Sequence, residues 1–95
     1  MFKKFSANIY FLTEFEDGRK EDIPKTIAYY RPLLCYKMNN YHCQLELENV
    51  ESLCLGNTYK LQLDIIDICP IKEGEEFELK EKSVVARGKI IKQLM

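Results

Sequence analysis

Residues 69–91 read CPIKEGEEFELKEKSVVARGKII, and a pair of tightly joined antiparallel strands accounts for them. Pro70 and Gly74 punctuate a turn at the start. Glu76, Phe77, Glu78, Leu79 and Lys80 then alternate charge with apolar bulk, the period of a strand with one buried face. After a short turn comes a β-branched run from Ser83 to Ile91. Two such runs with little between them define a hairpin.

The rest of the chain carries the same signal. Phe5, Ala7, Ile9 and Phe11 share one face of a strand from Phe5 to Thr13, with Ser6, Asn8, Tyr10 and Leu12 on the other. Residues 14–25 shift to mixed charge around the Asp17-Gly18 turn signal, the composition of a solvated connection. Thr26–Tyr30 and Leu33–Lys37 read as short strands separated by Arg31-Pro32, where the proline removes a donor and holds its predecessor extended. Met38-Asn39-Asn40 reads as a turn, because Asn tolerates left-handed backbone. Tyr41–Glu48 alternates cleanly. Leu55-Gly56-Asn57 turns into a long strand from Thr58 to Ile68, whose phase slips near Ile65-Ile66 and predicts a bulge or bend there. No segment sustains helical periodicity. Six or so strands in 95 residues predict an all-β fold, a small closed or nearly closed barrel. It is read as a single domain over 1–95, with fraying expected at 1–4 and 92–95.

With 46% hydrophobic residues the chain can build a core, and 14 basic against 15 acidic residues argue against a wholesale nucleic-acid binder. DNA is therefore not an expected partner. Four cysteines, Cys35, Cys43, Cys54 and Cys69, show no C-x-x-C pair and sit in or beside apolar runs. Reduced, mostly buried thiols are the expectation. With His42 the sole histidine, no metal site is expected. Neither a signal-type apolar segment nor a membrane-length run occurs, and the chain reads as cytoplasmic.

Beyond these patterns the chain resembles the third, C-terminal barrel domain of elongation factor Tu. Phe5-Ser6-Ala7-Asn8-Ile9-Tyr10-Phe11-Leu12 is similar to that family's opening strand, and Glu16-Asp17-Gly18-Arg19 to its E-G-G-R turn. Tyr30-Arg31-Pro32 stands where the family has Y-R-P, Leu55-Gly56-Asn57 where it has M-P-G-D-N, and Leu61–Asp67 tracks V-x-V-E-L-I. The hairpin of residues 69–91 resembles the family's last. The resemblance implies a six-stranded antiparallel Greek-key barrel. It does not imply the family's GTPase activity, since none of Gly18, Gly56, Gly74 or Gly88 opens a G-x-x-x-x-G-K-[ST] loop.

In that family the third barrel contacts tRNA and the GTPase domain. Arg31, Lys80 (for Arg) and Glu81 keep the family's residue character. Leu33 replaces the glutamine after Y-R-P, His42 a threonine near the T-stem, Lys82-Ser83 a glycine pair, and Arg87 an interface alanine. The resemblance thus implies a retained barrel with a rewritten surface.

Candidate surface residues follow from the composition as well. Lys80, Lys82, Arg87 and Lys89 could form a basic rim, with Arg87 and Lys89 on one strand face. Interleaved Glu73, Glu75, Glu76, Glu78 and Glu81 favour cross-strand pairs on a solvated face instead. Tyr30, Arg31 and Lys37, near Tyr29, Tyr36 and Tyr41, could stack bases, although barrel packing accounts for tyrosines equally well. His42 and Cys43 are strand neighbours that point to opposite faces, so they form no dyad. The expectation is a non-catalytic, cofactor-free binding module for a protein partner, one of the translation machinery on the strength of the resemblance. The alternative is structured RNA such as tRNA on the basic rim, and third comes a small enzyme or thiol sensor. Oligomeric state stays open.

Overall fold

Alternation in the sequence becomes alternation in burial. The computed structural model describes residues 3–23, 29–47 and 52–94. Strand β1 (Lys3–Phe11) buries Phe5, Ala7, Ile9 and Phe11 and turns Ser6, Asn8 and Tyr10 outward. The same period of two runs through β3 (Leu33–Tyr36), β4 (Asn39–Glu46), β5 (Thr58–Ile65) and β6 (Glu76–Lys80). The set is completed by β2 (Tyr29–Tyr30), β7 (Val84–Gln93) and one 3-10 turn at Glu14–Glu16.

The ring closes. Going round it, β1 pairs with β5, β5 with β4, β4 with β3, β3 with β6, β6 with β7 and β7 with β1, every pair antiparallel. The six-stranded barrel therefore has no open sheet edge along its closed wall. Because β1 lies beside β5 rather than beside its successor, the path is a Greek key. The extra segment β2 continues β3. Tyr30 stands opposite Leu45 and Leu33 opposite His42, so the register runs unbroken past Arg31-Pro32. Pro32, which has no N–H to give, divides one strand in two.

Phe5, Ile9, Phe11, Leu34, Leu45, Leu63, Ile65, Leu79 and Ile90 fill the interior, each with almost no exposure. The ring of Phe11 meets those of Tyr30 and Tyr59 at centroid distances of 6.5 and 6.1 Å. Burial on this scale drives folding, at about 1.5–3 kcal/mol for each large apolar side chain.

Several boundaries differ from the sequence expectation, each for a local reason. Lys3 and Lys4 are paired opposite Ile65 and Asp64, and Lys92 and Gln93 opposite Ser6 and Phe5, so the sheet reaches into both segments expected to fray, of which residues 1, 2 and 95 lie outside the described residues. The Leu94 N–H donates to the Lys4 carbonyl at 2.6 Å, tying the two ends together. Of the strand expected at 26–30, only Tyr29 and Tyr30 lie within the described residues. Asp17-Gly18 turns as expected: Asp17 is the left-handed cap of the 3-10 turn, with the Gly18 N–H on the Thr13 carbonyl. Leu12 is buried, which leaves the first strand without an exposed apolar strip.

The turn expected at 38–40 sits at Lys37-Met38 instead. Tyr36 faces Asn39, which leaves a two-residue loop, and both loop residues take positive φ, 48° and 65°. That is a type I′ turn, matched to strand twist but strained for Lys and Met. Replacing the pair with Asn-Gly (Lys37→Asn, Met38→Gly) should therefore stabilise the fold by about 1 kcal/mol, read as a higher urea midpoint at unchanged slope. An unchanged midpoint would mean the turn stores no strain.

Candidate functional site

The barrel wall places the nine candidate residues in two groups. Leu33 lies opposite Lys80 on one side and opposite His42 on the other, and all three side chains have outward parity. The His42 carbonyl accepts the Ile66 N–H at 2.9 Å, so Ile66 extends this row. Lys80, Leu33, His42 and Ile66 thus run across the sheet, one from each neighbouring segment.

Asp67 explains why β5 ends there. The last ladder pair is Cys43 with Ile65. At the next level the His42 N–H donates to the Asp67 carboxylate at 2.7 Å, and the His42 ring nitrogen Nδ1 meets the same oxygen at 2.8 Å. A side-chain carboxylate has replaced the next backbone acceptor, and the chain leaves the sheet. The phase slip in the sequence is therefore a strand end, and Ile66 and Ile68 face solvent instead of packing inward. Ile68 is 95% exposed and Ile66 39%.

The His42 backbone donor, with its ring behind it, holds the Asp67 carboxyl below the usual carboxylate range. A depressed folded pKa contributes stability that is complete above the unfolded value of about 3.9 and lost as pH falls through the folded one. The gap in urea stability between the parent and Asp67→Ala should hold from pH 7 to about 4 and close below that. A gap that stays constant down to pH 2 would mean that the carboxylate does not hold this corner.

Next to the row, Tyr30 is not a free stacking platform. Its ring is buried, its hydroxyl donates to Glu81, and burial first and Glu81 second push its pKa well up. Arg19 completes the cluster, with Nη1 2.5 Å from Glu81 and its guanidinium 5.8 Å from the Tyr30 ring centroid. Arg31 and Lys82 are exposed, and among the described residues neither they nor Lys80 form an ion pair.

The second group lies elsewhere on the wall. Lys37, Arg87 and Lys89 line a shallow cleft of about 630 Å³ together with Glu76, Glu78 and Tyr10. Arg87 stands opposite Glu78, at 3.6 Å, and Lys89 opposite Glu76. The cations on β7 share one face as the sequence indicates, but each faces a carboxylate, and they do not join Lys80 and Lys82 in a continuous basic stripe.

Three of the four thiols, Cys35, Cys43 and Cys69, show no activation. Burial raises Cys43 to about 12, and also raises Cys69 and Cys35. Cys43 donates to the Pro32 carbonyl and Cys35 to the Asn40 side chain. No thiol or hydroxyl hydrogen-bonds to His42 among the described residues, and no group of three metal-ligating side chains occurs among them. In native protein, brief treatment with a small thiol reagent should leave Cys43 and Cys69 unmodified. Rapid labelling of either would show that the barrel opens readily.

Among the described residues no helix is long and apolar enough to cross a membrane. No known protein-family model matches the chain. The features that sequence reasoning missed are Asp67, Ile66 and Ile68 as surface groups. Their signal was the phase slip itself, since an apolar residue on each side of an aspartate just past a strand is what an exposed corner looks like.

Proposed function

We propose that this chain is a non-catalytic binding module that recognises a protein partner through the outer face carrying Leu33, His42, Ile66 and Ile68. The observation that supports this reading is the exposure of Ile66 and Ile68, held outward by the Asp67 contact with β4. Phe15 and Met38 are also exposed, but each stands alone at a turn, as scattered surface apolar residues commonly do. Ile66 instead lies in one row with the half-buried Leu33, His42 between them, and Ile68 follows two residues on in the exposed corner. A few apolar anchors within a polar surround supply most of the energy of a protein interface.

The resemblance to the third domain of elongation factor Tu supports a narrower version, in which the module works in the cytoplasm and its partner belongs to the translation machinery. Structured RNA on the basic rim is the competing reading. The Arg87–Glu78 ion pair and the position of Glu76 opposite Lys89 weigh against it, because carboxylates set among these cations repel phosphate.

Affinity capture from lysate, with and without nuclease, separates the two. The parent should retain a protein after nuclease treatment. Ile66→Asp with Ile68→Asp should lose it, and Arg87→Glu with Lys89→Glu should keep it. Retention of nucleic acid that depends on Arg87 and Lys89 would put the RNA reading first.

A further inference from the structure

We propose that the partner adds an extended segment to the open edge of β4 at residues 39–41, in the lane that β5 leaves free, with an apolar side chain of that segment against Ile66. This inference rests on the protein-recognition reading above and assigns the backbone form of its partner.

Backbone pairing carries it. Tyr36 and Asn39 close a two-residue loop, so Tyr36 with Asn39 and Leu34 with Tyr41 are the pairs that bond across the hairpin. Asn40 and His42 fall in the alternate positions and aim their N–H and C=O away from β3. His42 bears this out: its N–H donates to the Asp67 carboxylate at 2.7 Å, and its carbonyl accepts the Ile66 N–H at 2.9 Å. Asn40 lies two residues back with the same orientation, and the β5 ladder reaches β4 only from Cys43 to Glu46. Among the described residues the Asn40 N–H and C=O have no partner. Asn39 and Asn40 are exposed. This edge lies beyond the closed wall, where the β3–β4 hairpin outruns β5.

A free donor and acceptor on the open side of a strand fit one kind of occupant, another extended backbone. Asn39, Asn40 and Tyr41 bring neither charge nor proline, the usual guards of such an edge. One local event opens the edge and exposes the apolar group beside it. When Asp67 takes the His42 N–H, β5 stops, Asn40 is left without a neighbour on that side, and Ile66 and Ile68 face solvent. Three paired residues span about 10 Å, and the end of such a segment then abuts Ile66 at the level of His42. A nucleic acid has no amide ladder to offer here.

Amide exchange and a backbone substitution test this. In the free protein the Asn40 amide should exchange at least 100-fold faster than that of Tyr41, which bonds to β3. A protected Asn40 amide would overturn the inference. Asn40→Pro removes the edge donor and fills the lane with its ring, yet costs no bond to β3, so the melting temperature should fall by no more than a few degrees. From nuclease-treated lysate the parent should capture a protein that Asn40→Pro retains at least tenfold less. Asn40→Ala, which keeps the backbone, should still retain it. If Asn40→Pro misfolds, an N-methyl group on the Asn40 amide serves instead, introduced by ligating a synthetic 35–42 segment at Cys35 and Cys43. Capture that depends on Ile66 and Ile68 but is indifferent to both backbone changes would overturn strand addition while leaving protein recognition in place. Capture of no protein by the parent would overturn both. A dimer in sedimentation that Asn40→Pro dissociates would give the edge to a second copy of this chain and overturn the partner segment.

Discussion

Gly88→Ala should lower the melting temperature of the barrel by about 10 °C. Gly88 lies on β7 opposite Phe77 on β6, and the Phe77 ring covers the place where a side chain would sit. A Cβ at Gly88 would fall 2.3 Å from Phe77 Cζ and 2.7 Å from Cε1, closer than any carbon contact tolerates. The ring has nowhere cheap to go, because Phe77 is only 3% exposed and packs in the core. Overpacking of this kind costs about 1–3 kcal/mol, and a domain of this size loses about 4–8 °C per kcal/mol. Against a total stability of about 5–15 kcal/mol this is a large fraction. Phe77→Leu should rescue part of the loss, so that the double variant is more stable than the sum of the two single changes implies. Strict additivity would mean that the ring and the glycine are not sterically coupled.

Changing Ile66 and Ile68 to Asp should weaken partner binding at least 100-fold while leaving the melting temperature within a few degrees of the parent. Fully covering an exposed isoleucine is worth about 1.5–3 kcal/mol, which applies to Ile68, while Ile66 is already mostly covered and adds less; each aspartate would add the cost of burying a charge. The stability cost falls on Ile66, which is 39% exposed and so partly packed, and not on Ile68. Ile68 is almost wholly in solvent, and Ile66 contributes its backbone N–H to the ladder whatever its side chain. A loss of binding accompanied by an equal loss of stability would assign these residues to the fold instead of to recognition.

How much could be read from the chain itself depends on which force acts at each point. Period-two alternation reports which face is buried, so the strands of β1, β4 and β6 and the all-β fold were legible. The barrel's closure was legible only in outline, since pairing of β3 with β6 and of β1 with β5 joins residues far apart in sequence. The turn at Lys37-Met38 escaped because register, set across the whole hairpin, overrode the local preference of Asn39 and Asn40 for left-handed backbone. The surface was least legible. Leu33, His42 and Lys80 were singled out, yet nothing local shows that they form one row, which follows from pairing across three strands. Tyr30 and Arg31 are sequence neighbours with opposite fates, one buried beneath Arg19 and Glu81 and the other in solvent.

A photocrosslinking amino acid at position 68, with a second variant carrying it at position 87, tests recognition by this face most directly. After irradiation in lysate, adducts are identified by mass spectrometry. A protein adduct formed from position 68 and absent from position 87 is the expected outcome, with the crosslinked peptide showing what covers the corner. Adducts confined to position 87 and carrying nucleotide mass would contradict it, and would move the working surface of this barrel to the cleft between Glu78 and Arg87.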